Sequence, residues 1–218
     1  MPPMTAESIV ICAARRTPLG AFMGELSGTS ATELGATAIR AALADTHLDV
    51  DRVSEVITGC VLPAGLGQAP ARQAARSAGL PDAVGATTVN KVCGSGMKAI
   101  MLGHDLIRAG SAEIVVAGGM ESMSNAPFLL SQMRAGHKAG SAEVIDHMMR
   151  DGLEDAYERG RPMGDFGEAT ARHYQFSRAD QDAYAAETLA RAQTAIAAGR
   201  FDVECVPVTV KTRKGEAT

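Results

Sequence analysis

Cys93 is the side chain of this sequence best placed for covalent chemistry. It sits in Asn90-Lys91-Val92-Cys93-Gly94-Ser95-Gly96-Met97-Lys98-Ala99. The apolar run 86–92 reads as a short strand entering it, and the segment 95–109 reads as a helix leaving it. A thiol at a strand-to-helix junction faces the positive end of a helix, where backbone N–H groups lack partners. Such a setting favours the thiolate, the form that acts as a nucleophile. Gly94 and Gly96 remove side chains from the turn, so a substrate can approach the sulfur closely.

Four chemistries compete for this segment. Free cysteine is often simply a small buried hydrophobe. Gly94-Ser95-Gly96-Met97-Lys98-Ala99 also fits G-x-G-x-x-A, a dinucleotide-binding turn. That motif wants an acid at the end of the next strand. The strand candidate 113–119 ends in Ala-Gly-Gly, with only the late Glu121 as a substitute. A serine nucleophile elbow, G-x-S-x-G, fails because Cys93 stands two residues before Ser95. The fourth reading is a cysteine acyltransferase.

The elements around Cys93 alternate in a way that implies a layered α/β sheet. The run 8–14 reads as a buried strand. Ser30-Ala31-Thr32-Glu33 has the form of a capping box, opening a helix to Thr46 with Leu34, Ala38, Ala41 and Ala42 along one face. Strand 53–61, helix 68–78, the Cys93 strand and helix, and strand 113–118 follow. Apolar residues surround most of the helix after Cys93, leaving Lys98, Asp105 and Arg108 as a narrow polar stripe, so burial between layers is expected. From Ser124 onward strand-like runs are few. Helices are expected over 141–152 and 165–176, and a third from Ser177-Arg178-Ala179-Asp180 to Ala198, with Tyr184, Leu189, Ala192 and Ile196 inward. Segment 206–210 reads as an edge strand, because Pro207 cannot donate to a ladder.

Composition narrows the classes. The chain has 218 residues, a net charge of −4 and no tryptophan. The charge argues against a nucleic-acid protein. The four cysteines show no metal-ligand spacing, and with no leader-like start or long apolar run they read as reduced cytoplasmic thiols. No metal or membrane span is expected. The five histidines read as surface or packing residues; His104 lies about 16 Å of helical rise beyond Cys93.

Several stretches closely resemble the thiolase family. They are Ala13-Ala14-Arg15-Arg16-Thr17-Pro18-Leu19-Gly20-Ala21-Phe22, the run 92–100 around Cys93, Val116-Ala117-Gly118-Gly119-Met120-Glu121-Ser122-Met123-Ser124-Asn125-Ala126-Pro127, and Gly199-Arg200-Phe201-Asp202 with the run 206–211. The resemblance implies the N-terminal half of an α-β-α-β-α sandwich over 1–123, carrying the nucleophile. It implies a mainly helical loop domain, incomplete, over 124–218. A C-terminal half-domain, absent from these residues, would hold a catalytic histidine and a second cysteine in glycine-rich motifs; a longer protein or a separate chain would supply it.

The implied activity is acyl transfer: condensation of two acetyl-CoA, or acetyl-CoA with another acyl-CoA, to a 3-ketoacyl-CoA, and the reverse thiolysis, through an acyl-Cys93 intermediate. Coenzyme A thioesters are then substrates, and no cofactor is expected. Leu153 matches a family position near the pantetheine arm, and Met163 the Met-Gly pair beside the acyl pocket. Pro162 stands where short-chain members commonly have histidine, and resembles members taking broader or longer acyl chains. Arg200, Lys211, Arg213 and Lys214 read as a solvated surface in preference to a phosphate site. A homodimer or homotetramer is implied for the complete protein, with this chain alone inactive. A thiolase-like chain kept for assembly is the alternative function.

Overall fold

The computed structural model describes residues 8–212 and 215–218. The chain divides into two compact units, Met1–Ala126 with Val206–Thr218, and Pro127–Cys205. The segment 206–218, expected with the loop domain, thus associates with the first unit, where the Val206 N–H donates to the Arg16 carbonyl at 2.9 Å.

The first unit is built on a parallel sheet of β1 (Val53–Gly59), β2 (Gly85–Val89) and β3 (Ile114–Gly119), in the order β2-β1-β3. Helix α1 (Ala31–Thr46) precedes it, α2 (Pro70–Ser77) joins β1 to β2, and α3 (Ser95–Arg108) joins β2 to β3. The two crossovers run in opposite directions across the sheet. A right-handed crossover therefore puts α2 and α3 on opposite faces. Side-chain alternation agrees: Ile114 and Val116 pack on the core that α1 and α2 share, while Val115 and Ala117 lie beneath Gly103 of α3. Val53, Val56 and Cys60 of the β1 segment, together with Ala74, Ala75 and Met120, fill that core. Small residues dominate it, which lets helix and sheet approach closely.

Helix α1 starts as expected. The Ser30 hydroxyl accepts the Glu33 N–H at 3.3 Å, and the Glu33 carboxylate accepts the Ser30 N–H at 2.9 Å. Such a box contributes about 1 kcal/mol. The buried face centres on Ala31, Leu34, Gly35 and Ile39, with Ala38, Ala41 and Ala42 only half-buried. Helix α2 begins with Pro70 at its first position and buries Ala71, Ala74 and Ala75.

Residues 8–14 and helix α3 depart from expectation. Residues 8–14 form no strand: a ladder needs a neighbour, and none pairs with them among the described residues. Val10 is 69% and Ile11 82% exposed. The following segment is tied down by a paired Arg15 and Asp45, which holds the Asp45 carboxyl below the usual carboxylate range. Helix α3 is also less enclosed than expected. It buries Ser95, Ala99 and Gly103 against β1 and β3, leaving Met97, Ile100 and Met101 at least half exposed.

The second unit holds a short antiparallel pair, β4 (Phe128–Leu129) and β5 (Ile145–Asp146), a π-helical stretch Met148–Leu153, and helices α4 (Met163–His173) and α5 (Arg178–Ala197). The helix expected over 141–152 is replaced by β5 and the π-helical stretch. β4 claims residues 145 and 146, and the His147 N–H goes to the Pro127 carbonyl. Helix α5 starts at Ser177 as expected, and the structure adds a capping box between Ser177 and Asp180, in which the Ser177 hydroxyl holds Asp180 below the usual carboxylate range. Its predicted inward stripe is wrong: Tyr184, Leu189 and Ile196 are 59–77% exposed and Ala192 is exposed. In the first unit, residues 206–209 form no strand, and of the expected segment only Val210 lies in one. Val208 is buried, and a hairpin of β6 (Val210–Thr212) and β7 (Gly215–Ala217) follows.

Two outcomes follow from this packing. A Cβ on Gly59 would lie 2.5 Å from the Ser95 Cβ, so Gly59→Ala should cost about 1–3 kcal/mol in denaturant unfolding. Gly118→Ala, with nothing within 4 Å, should not. The open apolar face of α3 should make the purified 218-residue chain self-associate, and Met97→Lys with Met101→Lys should shift it toward monomer in size-exclusion chromatography.

Candidate active site

Strands β1 and β3 end side by side, and α3 begins over both. Three glycines permit this. A Cβ on Gly59 would strike Ser95 and Gly96, and one on Gly119 would lie 3.3 Å from the Gly96 Cα. The sheet end is closed by the Met120 N–H donating to the Gly59 carbonyl and the Cys60 N–H to the Val89 carbonyl, both at 3.0 Å.

Cys93 lies on the turn between β2 and α3, directly before the cap residue Gly94, and is exposed. The strand read as running to Val92 stops at Val89. Val92 has φ +49°, a left-handed conformation that a β-branched residue rarely adopts. Holding it costs about 1–3 kcal/mol. Three side-chain hydrogen bonds surround it. The Asn90 carbonyl oxygen accepts the Val92 N–H at 2.8 Å, the Ser95 hydroxyl oxygen accepts the Lys91 N–H at 2.7 Å, and the Ser95 hydroxyl donates to the Val92 carbonyl at 2.5 Å. Ser95 is 4% exposed and its proton is committed to that carbonyl, which removes it as a nucleophile.

Glu121 is equally committed. Its carboxylate accepts the Val61 N–H at 2.8 Å and the Leu62 N–H at 3.0 Å, and the Cys60 thiol lies 3.7 Å away. It is therefore not a free ribose-binding acid. Cys60 contrasts with Cys93. It is 1% exposed, and burial, reinforced by Glu121, pushes its thiol up to about 12. Beyond Glu121, the Ser122 hydroxyl and the Asn125 amide both donate to the Thr29 carbonyl, and the Met23 N–H donates to the Ser124 hydroxyl. The segment 118–125 thus latches the strand end to the loop before α1.

Leu153 and Met163 both lie in the second unit and flank one backbone bridge, Glu154–Pro162. Leu153 is half-buried and Met163 is 42% exposed at the first position of α4. The intervening loop is closed by the Asp155 N–H donating to the Arg161 carbonyl and the Gly160 N–H to the Glu154 carboxylate. Arg200 is exposed; Arg213, Lys214 and the Lys211 side chain lie outside the described residues. Of the histidines, His147 is buried with Nδ1 2.6 Å from Asp151, while His47, His104, His137 and His173 are exposed. No cluster of three metal-ligating side chains occurs among the described residues. Likewise, no described helix is long and apolar enough to cross a membrane. The residues that sequence reasoning passed over are Asn90 and Ser95. Their signal was present: both types turn the local backbone through side-chain bonds.

This site sits in a chain that known families recognise. The family model described as "Thiolase, N-terminal domain" matches residues 9–218, and the chain belongs to the thiolase family. It is 50% identical over 210 residues to an acetyl-CoA acetyltransferase of Pseudomonas aeruginosa, covering 96% of this chain and 53% of that protein. It is 48% identical to one of Schizosaccharomyces pombe, covering 98% of this chain and 54% of that protein. Identity to one of Cupriavidus necator is 50%, over 95% and 53% of the two chains. The chain spans about half the length of the curated relatives it matches.

Thiol mapping tests the contrast between the two cysteines. At pH 8, iodoacetamide should modify Cys93 and Cys12 in the native protein and spare Cys60. Because the folded Cys60 thiol keeps its proton to about 12, against a usual 9.0, its contribution to stability is intact below pH 9 and is lost as pH rises through about 12. The denaturant midpoint should fall more steeply above pH 9 in the unmodified protein than in Cys60→Ala.

Proposed function

We propose that the complete protein transfers acyl groups between coenzyme A thioesters, with Cys93 as nucleophile. The observation that carries this reading is the exposed thiol on a strained turn at the start of α3. The Cys93 thiolate attacks the thioester carbonyl. A thioester to the protein forms, the bond to coenzyme A breaks, and coenzyme A leaves as its thiol after taking a proton. A second acetyl-CoA then loses an α-proton and attacks the acyl-Cys93, releasing a 3-ketoacyl-CoA and the free thiolate. Run in reverse, coenzyme A cleaves the 3-ketoacyl thioester. Splitting the transfer in two replaces one difficult step with two easier ones.

The relatives' names, acetyl-CoA acetyltransferase, support acetyl-CoA as a substrate. In this reading the first unit is the nucleophile-bearing half-domain and the second unit, Pro127–Cys205, belongs to a coenzyme A-covering loop domain. Leu153 contacts the pantetheine arm, and Met163 the acyl group. Their placement on either side of one bridge supports a shared surface for a single extended ligand. The proton-transferring histidine and second cysteine belong to the C-terminal half-domain that the reading requires. The enzyme works in the cytoplasm as a homodimer or homotetramer.

In the full-length protein, Cys93→Ser should abolish the covalent acetyl adduct formed on mixing with acetyl-CoA, read by intact mass. A normal adduct in that variant would remove Cys93 from the role. With Pro162 in place of a polar residue, thiolysis of longer 3-ketoacyl thioesters should proceed at rates comparable to the four-carbon substrate.

A further inference from the structure

We propose that Asn90 and Ser95 are positioning residues that hold Val92 left-handed and thereby aim the Cys93 sulfur. The inference rests on the acyl-transfer reading above for its consequence, although the geometry stands without it. The turn from Asn90 to Gly94 must reverse the chain between the end of β2 and the start of α3. Two backbone bonds close it: the Gly94 N–H to the Lys91 carbonyl at 3.1 Å, and the Ser95 N–H to the Val92 carbonyl at 3.0 Å. Neither requires a β-branched residue at positive φ, and valine resists it.

The compensation comes from two side chains. Asn90 captures the Val92 N–H, while its amide reaches the Val61 carbonyl at 3.5 Å. Ser95 grips both sides of the turn, accepting from Lys91 and donating to Val92. Ser95 is itself immobilised, since its Cβ fills the space that Gly59 leaves empty. The strain is thus held from the sheet on one side and from the helix on the other. Cys93, next in sequence to the strained residue, inherits a fixed direction; strain over-determined in this way is characteristic of sites that need preorganisation.

The test uses the full-length protein with Asn90→Ala, Asn90→Asp, and Asn90→Ala combined with Val92→Gly. Two readouts are followed: the rate of Cys93 acetylation by acetyl-CoA at varied concentration, and Cys93 alkylation by iodoacetamide relative to exposed Cys12, both by peptide mass mapping. Asn90→Ala should lower the limiting acetylation rate by about tenfold or more, with the half-saturating concentration within about twofold. Asn90→Asp keeps the acceptor oxygen and should restore most of the rate. Val92→Gly, which needs no help to hold positive φ, should bring Asn90→Ala back to within about threefold. The Cys93-to-Cys12 alkylation ratio should follow the same order. If Asn90→Ala fails to fold, Ser95→Ala with and without Val92→Gly carries the same comparison.

An Asn90→Ala rate equal to that of the unmodified protein would overturn the proposal, as would a loss that Val92→Gly does not restore. If the unmodified protein takes no acetyl group at Cys93, the acyl-transfer reading fails on its own, and the alkylation order still decides the positioning role.

Discussion

The structure turns on how closely α3 approaches the ends of β1 and β3. Gly59 and Gly119 present bare backbone to Gly96 and to Ser95, and a methyl group at Gly59 would overlap Ser95. That contact seats the first turn of α3 on the sheet. It immobilises Ser95, whose hydroxyl, together with the Asn90 amide oxygen, holds Val92 at positive φ, with Cys93 exposed beside the helix start. The parallel arrangement contributes as well, because both crossovers deliver their loops to the same end of the sheet.

Two cysteines near this end have opposite fates for the same physical reason. Cys60 follows β1 and points into the apolar core, where its uncharged form is favoured and Glu121 adds a repelling charge. Cys93 follows β2 and faces outward. Glu121 meanwhile acts on the backbone, gathering the Val61 and Leu62 amides that would otherwise sit partly buried without partners. A residue type that suggests ligand binding thus serves to shape the rim of the site.

Much of the nucleophile's setting was legible because it is local. A capping box announced α1, the run Ser177 to Asp180 announced the start of α5, and glycines with an apolar run announced the Cys93 junction. What failed to show depends on distant partners. Residues 8–14 have the composition of a strand, but a strand exists only where another offers its edge. Residues 145–146 were read as helical because periodicity cannot reveal that β4 would pair with them. The stripe of Tyr184, Leu189 and Ile196 has helical spacing, and spacing carries no information about whether anything lies opposite. The strand into Cys93 was overrun by three residues, since valine at position 92 argues for extended backbone and only the surrounding hydrogen bonds reverse it.

The Glu154–Pro162 bridge separates two fates within one short stretch. Residues on its outer side, Tyr157 and its neighbours, are nearly free of packing, whereas Leu153 and Met163 are pinned at the neck. A neck of that kind insulates: insertions or deletions among the outer residues change the size of the bulb without altering the separation of the two pinned positions. Such a stretch can diversify in length while the surface beneath it stays constant, which makes it a natural place to graft a reporter peptide.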